Sequence, residues 1–323
     1  MILQYLPIAT INLADDSFRV TFAPNLTKLK TSIKKIGVSQ PIVVRHTEDG
    51  AYQIVSGYKR VRACQELGRQ TIPALIHEHT DLSPVQAFIR NLNENAFTRE
   101  FNIIEKATAL SKLREHYGVG EEDLVNSYLP LMNEDPSYKL LHQYLTLATL
   151  IESMKQHIID AGIALSSAAR IAEFSPTTQS ELIKVLQPIR PNTTKLNELL
   201  TLIREIAARD GATVESILHR YQLLRIVTDP NAAQPERMAA LRETLHGVRM
   251  PHLAKKQAEF ATMIQDLELP NSVKLHSDPM FENSKMKLEY QFNTPEQLGT
   301  LVKQLEKAFE KHAWERIFEW YRH

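Results

Sequence analysis

Two short stretches, Ile42-Val43-Val44-Arg45 and Tyr52-Gln53-Ile54-Val55-Ser56-Gly57-Tyr58-Lys59-Arg60-Val61-Arg62, decide how the first third of the chain folds. Both begin with apolar, largely β-branched runs, and Glu48-Asp49-Gly50 between them supplies a turn, so the pair reads as a hairpin. After Ser56-Gly57 the apolar period lengthens: Val61, Cys64 and Leu67 share one side of a helix that Gly68 stops. At a strand-to-helix junction made by glycine the backbone can approach an anion, because free N–H groups and the positive end of the helix converge there. Lys59, Arg60 and Arg62 add three cations to that first turn, where each opposes the helix dipole at a cost of roughly a few tenths of a kcal/mol. A bound phosphate would relieve that opposition. An ordinary tight turn beside a solvated cationic face explains the same residues, and both readings stand at this point.

The rest of the composition sets bounds. At 323 residues, 43% hydrophobic and 24% charged, the chain has the make-up of a globular protein with room for two or three cored domains. It has no apolar run of the roughly 18–20 residues that a membrane span needs, and its N-terminus lacks a basic segment with a cleavage site. A cytoplasmic protein is expected, and the single cysteine excludes an internal disulfide framework. None of the 12 histidines has the HxxxH or HExxH spacing of a metal site. Net charge is zero, but it is unevenly spread: +4 over residues 1–120, −3 over 121–227 and −1 over 228–323. The only basic block therefore holds the Gly57 junction, and a DNA-binding face further along must be local.

Taken in order, residues 8–13 alternate loosely and read as a first strand. A helix is expected over 24–36 with Gly37 as its stop, then the hairpin, then a strand over 71–76 whose Pro73 suggests a sheet edge. Ser83-Pro84 caps a helix that runs into Asn93-Glu94-Asn95, and another helix spans 102–117. Residues 1–118 thus form an α+β domain. Residues 121–227 read as an all-α domain: helices over 121–132 and 138–150 around a short polar turn are compatible with helix-turn-helix geometry, and five more follow, the last over 214–226. Residues 229–235 read as a linker. Residues 236–323 form a small α/β module, helix–strand–strand–helix with an aromatic tail (Trp314, Phe318, Trp320, Tyr321), suited to dimerisation or partner binding.

Four motifs, in order, resemble the ParB family of DNA-partition proteins. They are Ser32-Ile33 with Gly37; Gln40-Pro41-Ile42-Val43-Val44-Arg45; Gly57-Tyr58-Lys59-Arg60-Val61-Arg62-Ala63; and Glu94-Asn95 with Asn102 in register. The resemblance covers roughly the first 110 residues. It implies a ParB/sulfiredoxin-like N-terminal domain, a helix-turn-helix-type middle domain, and a nucleotide switch that uses CTP with Mg²⁺ to close a clamp on DNA. Carried over, Ser56, Gly57, Lys59 and Arg60 would hold the triphosphate, Gln40 would lie near the nucleotide, and Glu94 and Asn95 would face Mg²⁺ or the γ-phosphate. Lys139, His142 and Gln143 on the second helix of the helix-turn-helix would reach DNA. Implied partners are DNA, a second copy of the chain and a partner ATPase, in a nucleoid-associated protein of plasmid or chromosome partition or of transcriptional control. The C-terminal module is not the family's usual zipper.

Three departures matter. Tyr58 stands where the family commonly has a Glu tied to hydrolysis, so CTPase activity is expected to be weak or absent. Lys59 replaces an Arg, keeping charge but losing the planar fork. Thr98 replaces another Arg, with Arg99 one residue on. Two other classes remain: an adaptor that kept the fold without DNA binding, and a sulfiredoxin-like ATP-dependent enzyme. The latter needs a Cys in the loop, where Tyr58 stands.

Overall fold

The computed structural model describes residues 2–48, 50–269, 273–310 and 313–321. The chain divides into two compact units, Met1–Leu200 and Thr201–His323.

The first unit is built on a mixed four-stranded sheet, β1 (Ile2–Pro7), β2 (Ile42–His46), β3 (Tyr52–Ser56) and β4 (Thr71–Glu78), in the order β1-β4-β2-β3. β2 and β3 form the expected antiparallel hairpin, with a register shift between Val43 and Val44; Asp49 of its turn lies outside the described residues. β2 runs parallel to β4, and β4 antiparallel to β1. Two expectations are corrected here. The first strand is Ile2–Pro7, not 8–13: Ile8 is buried on a 3₁₀ turn (Ile8–Thr10) and Ile11 is buried just after it in a single parallel bridge to Tyr52, whereas Ile2, Leu3 and Tyr5 lie exposed on the sheet edge. Burial, not alternation, is what residues 8–13 encode. Pro73 is not on an edge, because β4 is an interior strand. The parallel ladder with β2 starts at Ala74, so Pro73 lies just outside it, where no donor is required on that side.

Helices α1 (Thr27–Ile36) and α2 (Tyr58–Glu66) bury Ile33, Val61 and Cys64 in one core with Ile42, Val44, Ile72, Ala74 and Ile76. Each valine or isoleucine of this core contributes about 1.5–3 kcal/mol when fully buried. Helix α3 (Pro84–Thr98) starts with a Ser83–Gln86 capping box and Pro in its first turn. It runs three residues beyond Asn95, so Glu94 and Asn95 sit in its last turns and do not terminate it. Helix α4 (Ile103–Glu115) begins with a second capping box, Asn102 with Glu105.

Beyond α4 the unit is helical. The helix expected over 121–132 is broken into α5 (Glu121–Asp123), a π turn (Leu124–Tyr128) and α6 (Leu129–Leu131). Pro130 has no N–H and its ring crowds the carbonyl four residues back, and the wider turn lies immediately before it. Helix α7 (Tyr138–Thr146), capped by Ser137, passes into a 3₁₀ turn at Leu147–Thr149. Then come α8 (Glu152–Ala161), α9 (Leu165–Ala172), α10 (Pro176–Ile189) and the first half of α11 (Thr193–Asp210), whose second half belongs to the other unit. The first unit joins residues 1–118 to these helices because α4 packs on α7 and Lys106 of α4 pairs with Glu134 at 2.5 Å. The same Glu134 oxygen accepts from the buried Tyr144 hydroxyl of α7 at 2.6 Å.

In the second unit, α12 (Val214–Arg220) and α13 (Leu223–Val227) replace the single helix expected over 214–226, with Gln222 at φ +52° between them. Helices α14 (Gln234–Arg249) and α15 (Pro251–Asp266) meet at Pro251. β5 (Val273–His276) and β6 (Lys287–Tyr290) pair antiparallel, and α16 (Pro295–Glu310) and α17 (Ala313–Trp320) follow. Phe260, Phe281, Trp320 and Tyr321 pack ring against ring. The aromatic tail is thus mostly core, with Phe318 left exposed.

Candidate functional site

β3 hands over to α2 at Gly57, whose φ of +103° is reached readily only without a side chain. A Cβ there would meet Ile42 Cγ2 at 2.7 Å and Arg60 Nη2 at 3.1 Å. The backbone can therefore pass close over β2 only at a glycine. The amides of Tyr58 and Lys59, at the start of α2, have no acceptor among the described residues, while those of Arg60 and Val61 bond the Gly57 carbonyl. Two N–H groups are thus presented at the positive end of the helix.

They open onto a cavity of about 640 Å³. All seven residues expected at a nucleotide, Gln40, Ser56, Gly57, Lys59, Arg60, Glu94 and Asn95, line it. They come from the loop before β2, the β3–α2 junction and the end of α3, which the sheet and α3 bring together. Arg60 Nη1 donates to the carbonyls of Gln40 (2.8 Å) and Pro41 (2.9 Å), which fixes the guanidinium and leaves Nε and Nη2 without partners among the described residues. Burial lowers the Arg60 pKa, and the nearby Glu94 charge opposes that shift. Lys59 is lowered by burial first and by the Arg99 cation second, with Glu105 opposing, and its amine has no hydrogen-bond partner among the described residues. Ser56 is buried, yet its hydroxyl is likewise unbonded. Such groups are costly to leave unmet, so the site favours an anion with many acceptors.

Six further lining residues carry no signal in the sequence: Asp15, Arg19, Val20, Thr21, Asn91 and Phe97. Asp15, Arg19 and Thr21 sit in an irregular loop that gives no periodic signal. Arg19 Nη1 lies 3.3 Å from the Tyr58 hydroxyl. Burial would raise the Asp15 carboxyl, but hydrogen bonds from Ser17 and Gln53 outweigh it and its pKa is lowered. Arg99 also lines the cavity, so the cationic walls are Arg19, Lys59, Arg60 and Arg99, facing the acids Asp15 and Glu94. Arg45 lies elsewhere: it donates to the Leu82 carbonyl (2.7 Å) and Gln53 (3.0 Å), a structural bracing.

Glu94 and Asn95, the pair expected at Mg²⁺, fit that ion unequally. Glu94 Oε1 accepts from Arg90 Nε at 2.9 Å, and Oε2 has no partner among the described residues. Asn95 Oδ1 accepts from Arg99 Nε at 3.1 Å, which sets a cation where a metal would bind. No group of three His, Cys, Asp or Glu among the described residues is placed to hold a metal ion.

Lys139 and His142 are exposed on α7 and Gln143 is half-buried beside them; none has a side-chain partner among the described residues. The three share one side of the helix, opposite the buried Leu141, Tyr144 and Leu145. No described helix is long and apolar enough to cross a membrane.

Fold and cavity define a class: a mixed-sheet domain with a cation-lined cleft at a glycine strand-to-helix junction. Residues 2–96 match the ParB N-terminal domain. The nucleoid occlusion protein of Bacillus thuringiensis is 30% identical over 211 residues, spanning 64% of this chain and 68% of that protein. A probable chromosome-partitioning protein ParB of Pseudomonas putida is 29% identical over 180 residues, 55% of this chain and 59% of the relative, so the match spans somewhat over half of that protein. The C-terminally truncated chromosome-partitioning protein ParB from Caulobacter crescentus, solved in complex with CTP-gamma-S, is 26% identical and covers 57% of this chain and 99% of its own, with a TM-score of 0.28. The chain belongs to the ParB family.

Proposed function

We propose that the chain is a DNA-binding protein of the partition type whose N-terminal domain, residues 1–118, is a switch operated by a nucleoside triphosphate, CTP being the one the family resemblance implies. The observation that carries this is convergence: residues from three separate motifs line one cavity that holds four cations and, among the described residues, two amides and a serine hydroxyl without partners. A triphosphate supplies the acceptors that such a wall lacks. Tyr58, a phenol, leaves no carboxylate at the start of α2 to accept a proton from water, so the nucleotide is held more readily than it is hydrolysed.

Residues 121–227 read DNA in this account, through Lys139, His142 and Gln143 on the exposed side of α7. Residues 236–323 assemble the protein. On α16, Leu298, Val302 and Phe309 lie exposed, and a second copy covering that stripe makes the homodimer. A partner ATPase and a place on the nucleoid belong to the same reading. Calorimetric titration with each of the four ribonucleoside triphosphates tests it: tightest binding of CTP supports the switch, and binding of none rejects it.

A further inference from the structure

Thr98 stands where the family resemblance expects an arginine, and its hydroxyl turns back onto its own helix, to the carbonyls of Glu94 (2.9 Å) and Asn95 (3.2 Å). α3 ends there. Arg99 follows in an extended conformation (φ −162°, ψ 161°), which carries its side chain onto the cavity wall. Its Nε donates to Asn95 Oδ1 and its Nη1 to Glu105 Oε2 at 2.5 Å. Glu105 is 2% exposed and is itself fixed, accepting from the amides of Phe22 and Asn102 at 3.1 Å each. Arg99 Nη2 has only a 3.5 Å contact to Thr21 Oγ1, so this arm is the one left for a ligand.

The guanidinium therefore takes up the amide oxygen that would otherwise serve a metal. Arg90 takes one Glu94 oxygen, so of the three side-chain oxygens of Glu94 and Asn95 only Glu94 Oε2 is open among the described residues. A divalent ion entering here would meet Arg99 at close range, with Lys59 and Arg60 on the same walls. Mg²⁺ at a triphosphate keeps several waters and takes one or two protein carboxylates beside the phosphate oxygens; here Asn95 Oδ1 is taken, and Glu94 Oε2, the one oxygen open among the described residues, lies in the field of the Arg60 cation. Arg99 Nη2, by contrast, is the arm not taken by Asn95, Glu100 or Glu105, and it can donate a charge-assisted hydrogen bond to a phosphate oxygen.

We propose that Arg99 takes the place of a divalent metal in this cavity, so that the triphosphate binds without Mg²⁺. Glu105 is the positioning residue that holds Arg99 in the wall. The proposal rests on the triphosphate reading above and adds to it a fixed guanidinium donor for the phosphate oxygens.

The test titrates the full chain with CTP and with inorganic tripolyphosphate, each in millimolar Mg²⁺ and in EDTA at matched ionic strength. For the unaltered chain the two dissociation constants agree within about threefold. Arg99→Ala weakens binding in EDTA by about 10- to 100-fold, the worth of a charge-assisted hydrogen bond, and Mg²⁺ restores part of it because Asn95 Oδ1 is freed. Arg99→Lys keeps a charge facing Glu105 and gives an intermediate loss, which serves should the alanine variant melt early. Binding by the unaltered chain that disappears in EDTA, or an Arg99→Ala variant that binds as tightly in EDTA as its parent, overturns the inference and leaves the triphosphate site standing. Binding of neither ligand under either condition overturns both.

Discussion

The guanidinium carbon of Arg19 lies 5.1 Å from the centroid of the Tyr58 ring, and its Nη1 is 3.3 Å from the Tyr58 hydroxyl. An aromatic residue in the first turn of α2 thus holds a loop cation on the cavity wall. The ring face attracts the cation, and the stacked arrangement limits the rotamers that Arg19 must lose on binding an anion.

Tyr58→Ala should therefore weaken CTP binding by about 2- to 30-fold, the range of a cation–π contact, while Tyr58→Phe keeps most of the affinity. Calorimetry separates the two. An alanine variant that binds like its parent would show that Tyr58 does not position Arg19.

Gly57→Ala forces a side chain into positive φ and against Ile42 Cγ2, 2.7 Å away. The expected loss is about 2–4 kcal/mol of stability. Urea unfolding should show a lower midpoint with an unchanged slope. A midpoint equal to that of the parent would mean that the β3–α2 junction can relax freely.

Glu134 ties α4 to α7 through Lys106 and Tyr144. Burial would raise its pKa, but the hydrogen bonds from Lys106 and Tyr144 and the Lys106 charge prevail, and it is lowered. A carboxyl whose folded pKa lies below its unfolded value stabilises the fold above the unfolded value. That contribution is lost as pH falls from the ordinary glutamate range to the depressed folded pKa. Thermal melts across pH 3–6, about the range in which a glutamate titrates, should show this loss. Glu134→Gln should flatten the profile, and Glu134→Ala should cost about 2–3 kcal/mol at neutral pH. An identical acid profile in Glu134→Gln would assign the acid sensitivity to other carboxylates.

Lys139→Ala combined with Gln143→Ala should weaken binding to mixed-sequence DNA and lower the salt-dependence slope by about one, for one lost phosphate contact. Mobility shifts over a salt series measure both. An unchanged slope and affinity would place the DNA-binding surface elsewhere.

Where short-range chemistry decides, these elements were legible before any coordinates. The hairpin, the glycine junction, the Ser83-Pro84 cap and the helix start near Asn102 each follow from a few neighbouring residues, and all four are found. β1 escapes a sequence reading because its side chains lie largely exposed on the sheet edge and carry no alternation, whereas Ile8 and Ile11 of the 8–13 stretch are buried in the core outside any strand. The interior position of β4 depends on which strands flank it, which no local pattern encodes. In the cavity, the residues of the four motifs are legible in the sequence, whereas Asn91 and Phe97 of α3 and the residues of the 14–22 loop belong to no motif. The bond from Arg99 to Asn95 arises because α3 runs on to Thr98, three residues past the end expected for it.

The most direct measurement is a calorimetric titration of CTP into the unaltered chain and into Arg60→Ala. Arg60 is anchored to two backbone carbonyls, with Nε and Nη2 left over the Gly57 junction. The account predicts clear binding by the parent and a loss of at least about tenfold in the variant, with its melting temperature little changed. Equal affinity in both proteins would contradict it.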